Sequence, residues 1–171
     1  MKLRSATPAD AAALARLGRD AFCASFAHLY RDEDLQAFLA AAHSPEKVAA
    51  EIADPAMAIV LAVADEGALL GYCKLVLACG WPEHARAQPV VEIKQFYTQP
   101  HATGRGIGAA LMDWTLAEAQ RQGAKEIQLS VWSENHGGQR FYARYGFSKI
   151  ADIHFIVGQQ RDEEFLFAKL L

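Results

Sequence analysis

The stretch Gly104-Arg105-Gly106-Ile107-Gly108 carries glycine at alternate positions and lies between two segments with regular patterns. Residues 90–98, just before it, are rich in β-branched and aromatic side chains and predict a strand. Residues 105–122 carry apolar side chains at helical spacing and predict an amphipathic helix. Glycine lets a ligand approach the backbone closely, and the N–H groups at a helix N-terminus attract anions. The stretch therefore predicts a phosphate-binding loop.

Two common phosphate-binding motifs fit this loop poorly. A Walker A motif has Gly-Lys where this chain has Ala109-Ala110. The dinucleotide fingerprint GxGxxG/A is matched by Gly104, Gly106 and Ala109, but it requires an acid at the end of the next strand. That strand, predicted over 126–131, has Glu126 at its beginning instead. We therefore disfavour a nicotinamide-dinucleotide protein and keep it as an alternative.

The pattern of the whole chain predicts an α/β domain with a mixed sheet. Capping residues and apolar periodicity predict N-terminal helices that begin near Thr7, Asp32 and Ser44. Strands are predicted at 57–64, 69–79, 90–98, 126–131, 148–157 and 164–170, and helices at 105–122 and 137–144. This order favours a single domain that covers 1–171.

Composition excludes several classes of function. The 171 residues carry a net charge of −3 without a basic cluster, which gives no footprint for nucleic acid. No apolar run is long enough for a membrane span, and the N-terminus has no signal-peptide pattern. Three cysteines without CxxC spacing predict neither a disulfide framework nor a metal site. We expect a cytoplasmic monomer or homodimer without a metal.

A second motif follows the strand after the glycine-rich loop. Asn135 is placed to cap a short helix over 137–144, in which Phe141 and the residue one turn later, Tyr145, face the core. Gly146 ends the segment. By itself this motif is equally typical of a capped helix with aromatic packing.

Together the two motifs resemble those of the GNAT superfamily of N-acetyltransferases. The resemblance rests on Tyr97-Thr98 and Pro100, on 104–108 with Leu111, and on Asn135, Phe141-Tyr142 and Gly146-Phe147. Residues 25–30 and 155–158 are similar to the PaiA-like polyamine acetyltransferase branch. The resemblance implies a mostly antiparallel central sheet flanked by helices, in which a splayed strand pair binds acetyl-CoA.

The resemblance also implies how acetyl-CoA is held. The backbone of the 96–98 strand end would bond the pantetheine arm, the loop N–H groups would hold the pyrophosphate, and Asn135 would lie on the far side of the arm. Thr103 stands where the family usually has Gln or Arg. The expected cofactor-binding residues are Phe96, Tyr97, Thr98, Thr103, Gly104, Arg105, Gly106, Ile107, Gly108, Ala109, Asn135 and Tyr142.

Acyl transfer to an amine requires a proton acceptor and a proton donor. An alkylammonium group has a pKa of about 10.4 and must lose a proton before it attacks a thioester. Glu92, an acid in the middle of an apolar strand, is a candidate base; the alternatives are an ion pair with a nearby Lys or Arg and a water relay. By resemblance, Tyr142 is the general acid for the leaving thiolate, and the alternative is a packing tyrosine.

The acceptor site is expected where the N-terminal helices meet the cleft. Acceptor candidates are His28, Tyr30, Glu33, Trp132 and His136. The implied function is transfer of an acetyl group from acetyl-CoA to a primary amine of a small, polyamine-like molecule or of a peptide. The alternative is a non-catalytic acyl-CoA-binding or regulatory module on the same fold.

Overall fold

A computed structural model describes residues 1–102 and 104–171. Along the chain it forms strand β1 (Lys2–Ser5), helices α1 (Ala11–Phe26), α2 (Asp32–Ala42) and α3 (Pro45–Ala53), strands β2 (Met57–Val63), β3 (Leu69–Val76) and β4 (Val90–Thr98), helix α4 (Ile107–Arg121), strand β5 (Glu126–Trp132), helix α5 (His136–Arg144), and strands β6 (Ser148–Val157) and β7 (Gln160–Leu170). None of the helices in the described residues combines the length and apolar character that a membrane span requires.

The strands form one sheet in the order β1-β2-β3-β4-β5-β7-β6. In the described chain β4 and β5 are the one parallel pair, and the other neighbours are antiparallel. A dinucleotide fingerprint serves a mostly parallel sheet, which this chain does not form. The sheet confirms the predicted class, a mixed and mostly antiparallel α/β fold.

The pairing of β4 with β5 stops halfway along both strands. Their register runs from Val90 opposite Glu126 to Ile93 opposite Leu129, and no pairing follows. From Lys94 onward β4 stays paired with β3, while β5 stays paired with β7. The two strands therefore splay apart, as the resemblance implied, and open a gap in the sheet.

Helices cover both faces of the sheet. On one face the apolar side of α4, with Ile107 and Leu111 buried, packs against Ile127 and Leu129. On the other face α1 and α3 pack on β2 and β3 through residues such as Leu14. The end of α1, helix α2 and the end of β6 form a separate cluster, lined largely by aromatic rings. Between this cluster and the sheet lies one of the cavities described below.

The largest differences between the element boundaries and the sequence prediction lie at three places, and the other bounds agree within two residues or so. Strand β1 was not predicted, because it is short and largely exposed and gains its structure by pairing with the edge of β2. Strand β3 ends at Val76 rather than 79, since the chain turns there into the loop before β4. Strand β7 begins at Gln160 rather than 164, because its polar first residues pair with β6 across a tight turn.

Candidate active site

A groove of about 750 Å³, here called the outer groove, lies over the gap between β4 and β5. Its walls are the end of β4, the loop before α4 with the first turn of that helix, and the start of α5. The predicted cofactor-binding residues that line it are Phe96, Tyr97, Thr98, Gly104, Gly106, Ile107, Gly108, Ala109, Asn135 and Tyr142. Arg105 is exposed beside it, and Thr103 lies outside the described residues.

The loop has the backbone geometry of an anion site. Gly104 and Gly106 adopt φ of 76° and 77°, in the left-handed region that other residues enter at a cost. Gly106 is the N-cap of α4, and its carbonyl accepts the Ala110 N–H at 3.0 Å. The N–H groups of the first helical turn have no intrahelical acceptor and carry the positive end of the helix dipole. A phosphate fits this end of the groove.

Gly108 serves a different purpose from the other two loop glycines. A Cβ at this position would lie 3.4 Å from the Phe141 ring and 3.9 Å from the Phe96 ring. The missing side chain therefore lets α4 approach α5 closely across the groove. This contact brings the two sequence motifs together.

Tyr142 stands where two cavities meet. Helix α5, capped by a 2.9 Å hydrogen bond from the Gly138 N–H to the Asn135 side chain, carries it into the groove. Its ring packs edge-on against Phe96, Phe141 and Phe147. Burial raises the pKa of the phenol, so the hydroxyl keeps its proton at neutral pH. The protonated phenol is a hydrogen-bond donor to whatever lies beside it, and the role of Tyr142 as general acid stays a prediction.

A second cavity of about 220 Å³, here called the inner cavity, lies between the sheet and helices α1 and α2. Aromatic side chains form most of its wall: Phe22, Phe26, Tyr30, Phe38, Tyr97, Trp132 and Phe155. Both cavities are lined by Phe26, Phe96, Tyr97, Asn135 and Tyr142. The inner cavity and the outer groove therefore adjoin at these residues, Tyr142 among them.

Two carboxylates of β7 also line the inner cavity, and the sequence did not single them out. The Tyr30 hydroxyl donates to Asp162 at 2.5 Å, and the Gln160 amide donates to its other oxygen at 2.9 Å. Glu164 forms a side-chain hydrogen bond with Ser130. Burial, and then the charge of Asp162, raise the pKa of Glu164. Residues 162 and 164 are two positions apart, so in a strand both acids lie on the same face. This spacing is the sequence signal from which the pair could have been identified.

Glu92, the predicted base, lies elsewhere. Its carboxylate is buried, accepts the Gly80 N–H at 2.9 Å and lies 3.3 Å from the Lys94 ammonium group. It lines neither the outer groove nor the inner cavity. These contacts tie the loop before β4 to the sheet and match the ion-pair alternative. The role of Glu92 as a base stays a prediction.

The predicted acceptor residues divide into two groups. Tyr30 and Trp132 line the inner cavity. His28 is exposed and packs edge-on against Trp132, with ring centroids 6.3 Å apart. Glu33 on α2 and His136 at the start of α5 are exposed and line neither cavity.

His43 was not predicted and is the most unusual polar group in the inner cavity. It lies just past the end of α2 and is 4% exposed. In the described part of the chain its Nε2 has no hydrogen-bond partner. Burial, followed by the charges of Lys74 and Arg19, lowers the pKa of the imidazole to about 4, so the ring is neutral at pH 7. Within the described residues no group of His, Cys, Asp and Glu has the arrangement of a metal site.

Known proteins resemble this chain in sequence and in fold. The sequence matches the model of the acetyltransferase (GNAT) family over residues 19–147. An N-acetyltransferase of Mycobacterium tuberculosis is 31% identical over 139 residues, 81% of this chain and 83% of that protein. The aminoglycoside N(6')-acetyltransferase type 1 of Stenotrophomonas maltophilia is 30% identical over 147 residues, 86% of each. The crystal structure of PaiA N-acetyltransferase from Thermoplasma acidophilum, in complex with coenzyme A, has a TM-score of 0.79 at 22% identity and covers 99% of this chain and 98% of that one.

The chain belongs to the GNAT acetyltransferase family, as the two motifs predicted. Since both relatives are N-acetyltransferases, it is an acyltransferase. The likeness to PaiA extends over nearly the whole of both chains and shows the shared fold. Coenzyme A is bound in that structural neighbour.

Proposed function

We propose that this protein transfers an acetyl group from acetyl-CoA to a primary amine of a small, polyamine-like molecule or of a peptide. Acetyl-CoA would lie in the outer groove with its pyrophosphate at the glycine-rich loop, and the amine would enter the inner cavity. The observation that carries the proposal is the junction of the two cavities at Tyr142. At this junction a thioester and an amine come within reach of one proton donor.

The residues of the chain supply positioning and proton transfer. Bound acetyl-CoA supplies an activated acyl group, and the amine attacks it directly. The helix N-terminus at Gly106 holds the phosphates, while Phe96, Tyr97 and Asn135 border the arm that leads to the junction. Tyr142 donates its proton to the departing sulfur, since its raised pKa keeps the phenol protonated until then. Glu92, the base predicted from the sequence, has its carboxylate outside both cavities and bonded to the Gly80 N–H and to Lys94, so it does not reach the amine directly.

Two relatives support an amine acceptor. The Stenotrophomonas protein is named for aminoglycosides, which carry several amino groups. The structural neighbour is a PaiA N-acetyltransferase, from the branch that residues 25–30 and 155–158 resemble. Both are consistent with an inner cavity that contains carboxylates.

Substitution of Tyr142 tests the proposal. Tyr142→Phe removes only the hydroxyl, and we expect the turnover number to fall by at least about 100-fold, as loss of a general acid does. The dissociation constant for acetyl-CoA should stay nearly the same, because the ring remains. The assay is release of CoA thiol from acetyl-CoA with a panel of amines. Tyr145→Phe is the matched control: it makes the same change next to the same helix, at a residue that lines neither cavity.

The outcomes separate the alternatives. Unaltered turnover in Tyr142→Phe would remove the proton-donor role. Tight binding of acetyl-CoA without CoA release for any amine would favour the non-catalytic module. A larger thermal shift with NAD than with acetyl-CoA would restore the dinucleotide alternative.

A further inference from the structure

The inner cavity combines two carboxylates with an aromatic wall. Asp162 and Glu164 are alternate residues of β7, so both side chains lie on the sheet face that α1 and α2 cover. The 2.5 Å contact of the Tyr30 hydroxyl with Asp162 ties this face to the end of α1. Ammonium ions are attracted both to carboxylates and to the faces of aromatic rings. The wall and the acids therefore favour the same class of ligand.

The charges around Glu164 leave the cavity negative. The carboxylate of Asp162 lies on the same strand face, and Lys94 faces it from β4. Lys94 also lines the cavity, and its ammonium group is 3.3 Å from the buried carboxylate of Glu92, whose charge offsets it. Two phenols lie opposite: burial and then Asp162 raise the pKa of Tyr30, with a smaller effect of Glu164, while burial and then the Glu164 charge raise the pKa of Tyr97. Both hydroxyls are therefore neutral at pH 7.

Glu164 lies close to the reaction point that the proposed function defines. Its strand position is directly opposite Trp132, whose carbonyl accepts the Asn135 N–H at 2.9 Å. Asn135 and Tyr97, which feels the Glu164 charge, both line the junction of the two cavities. The Asp162 carboxylate accepts hydrogen bonds from both Tyr30 and Gln160, whereas Glu164 bonds to Ser130.

His43 provides an independent sign that this cavity binds a polar ligand. Its side chain is only 4% exposed and lines the same cavity. Its Nε2 nevertheless has no hydrogen-bond partner in the described residues. Buried polar atoms are nearly always hydrogen-bonded, and an unpaired one at a cavity wall is a position where a bound molecule or a water can make the missing bond.

We propose that the acceptor is a primary ammonium ion with no carboxylate beside it and that Glu164 takes its proton. The charged end of the acceptor binds against Asp162 and Glu164, and its apolar part lies on the aromatic wall. This inference rests on the proposed function. The N–H bond breaks and the proton goes to the Glu164 carboxylate. The freed electron pair forms the C–N bond, the C–S bond breaks, and the sulfur takes the Tyr142 proton. The phenolate recovers a proton from the new amide nitrogen, and Glu164 releases its proton to solvent.

The two carboxylates also select against amino acids. An α-carboxylate lies within one bond of the carbon that carries the amine, so it would enter the cavity next to two like charges. Specificity then comes from repulsion of this group. The structure thus favours alkylamines, arylalkylamines and diamines over free amino acids.

Matched pairs of substrates test the selection. Phenethylamine and phenylalanine differ by one carboxylate, and so do tyramine and tyrosine. We expect kcat/KM for the carboxylate-free member to be higher by at least about 100-fold, corresponding to two like charges at close range. Phenylalaninamide has the size of phenylalanine but a neutral amide in place of the carboxylate, so its rate should be closer to that of phenethylamine than to that of phenylalanine. Equal rates within either pair would overturn the proposal.

Two glutamate variants test the proton acceptor. In the wild type kcat/KM should rise with pH and level off above the pKa of Glu164. In Glu164→Gln this plateau should disappear, and the rate should rise until the amine itself loses its proton at a pH of about 10. Glu163→Gln, the same change at the exposed neighbour of Glu164 on β7, is the control and should keep the wild-type profile, whereas Glu92→Gln tests the competing base assignment. The opposite result, a lost plateau in Glu92→Gln alone, would assign the base to Glu92 and overturn this part of the proposal.

Failure of this inference can be told apart from failure of the proposed function. If no amine releases CoA, the proposed function fails. If amino acids react as fast as amines and Tyr142→Phe is still impaired, only the inference fails. Thermal denaturation and CoA binding of Glu164→Gln show whether it folds, and the substrate pairs decide the selection without any variant.

Discussion

Substitution of Gly106 by alanine tests the anion loop on its own. Gly106 has φ of 77° and ψ of 2°, and a Cβ there would meet no atom within 4 Å. A methyl group therefore causes no clash, and its whole effect is the cost of the left-handed backbone, about 1–2 kcal/mol. Because Gly104, Arg105 and Gly106 are exposed, we expect the free variant to relax this part of the loop and escape the strain.

Coenzyme A must then restore the loop when it binds. The cost of about 1–2 kcal/mol corresponds to a dissociation constant about 5- to 30-fold weaker. Isothermal titration with CoA measures it, and thermal denaturation should show little loss of stability.

Gly123→Ala is the matched control at the other end of α4. Gly123 has φ of 76° and the same open space, but backbone hydrogen bonds to the end of the helix hold it in place. We expect this variant to lose about 1–2 kcal/mol of unfolding free energy and to bind CoA normally. If Gly106→Ala instead binds CoA within about twofold of the wild type, the loop is not the pyrophosphate site.

The remaining predictions concern buried and surface charges. Lys74 is 1% exposed and pairs with Glu51, so Lys74→Met should lower the free energy of unfolding by up to about 3–5 kcal/mol, because that carboxylate keeps only the half-exposed Lys47, 3.7 Å away. Urea denaturation measures this, and the double variant with Glu51→Leu should recover most of it; a loss as large in the double variant would contradict the reasoning. The guanidinium of Arg4, 2.7 Å away, holds the pKa of Asp10 well below its usual value of 3.8. The stabilisation is present above about pH 4 and lost as pH falls below it, so the Tm difference between wild type and Asp10→Asn should shrink in acid; a pH-independent difference would contradict it.

The structure around the glycine-rich loop was predictable because its signals are local. The glycine-rich loop, the helix after it and the Asn135 cap each depend on residues close together in sequence, and each is where the pattern placed it. The splayed strands followed from the family resemblance. The role of Gly108 in the close approach of α4 and α5 could not be predicted, because it depends on contact with Phe141 of another helix.

The acceptor side could not be predicted because its contacts join distant parts of the chain. Tyr30 was identified, but its partner Asp162 lies 132 residues away. Asp162 was expected in the loop before the last strand, and Glu164 at the start of that strand. Because β7 begins at Gln160, both residues lie within the strand and line the inner cavity. Glu92 was identified from the sequence as an acid in an apolar strand. Its hydrogen bond with the Gly80 N–H could not be predicted, because the loop that contains Gly80 carries no sequence signal for this contact.

The central claim is acetyl transfer to an amine at the junction of the two cavities. The most direct measurement incubates the wild type with acetyl-CoA and phenethylamine and quantifies CoA thiol and N-acetylphenethylamine by mass spectrometry. The account predicts that both products form in equal amounts, and that both fall together in Tyr142→Phe. Formation of CoA with free acetate, or of neither product with any amine, would contradict it.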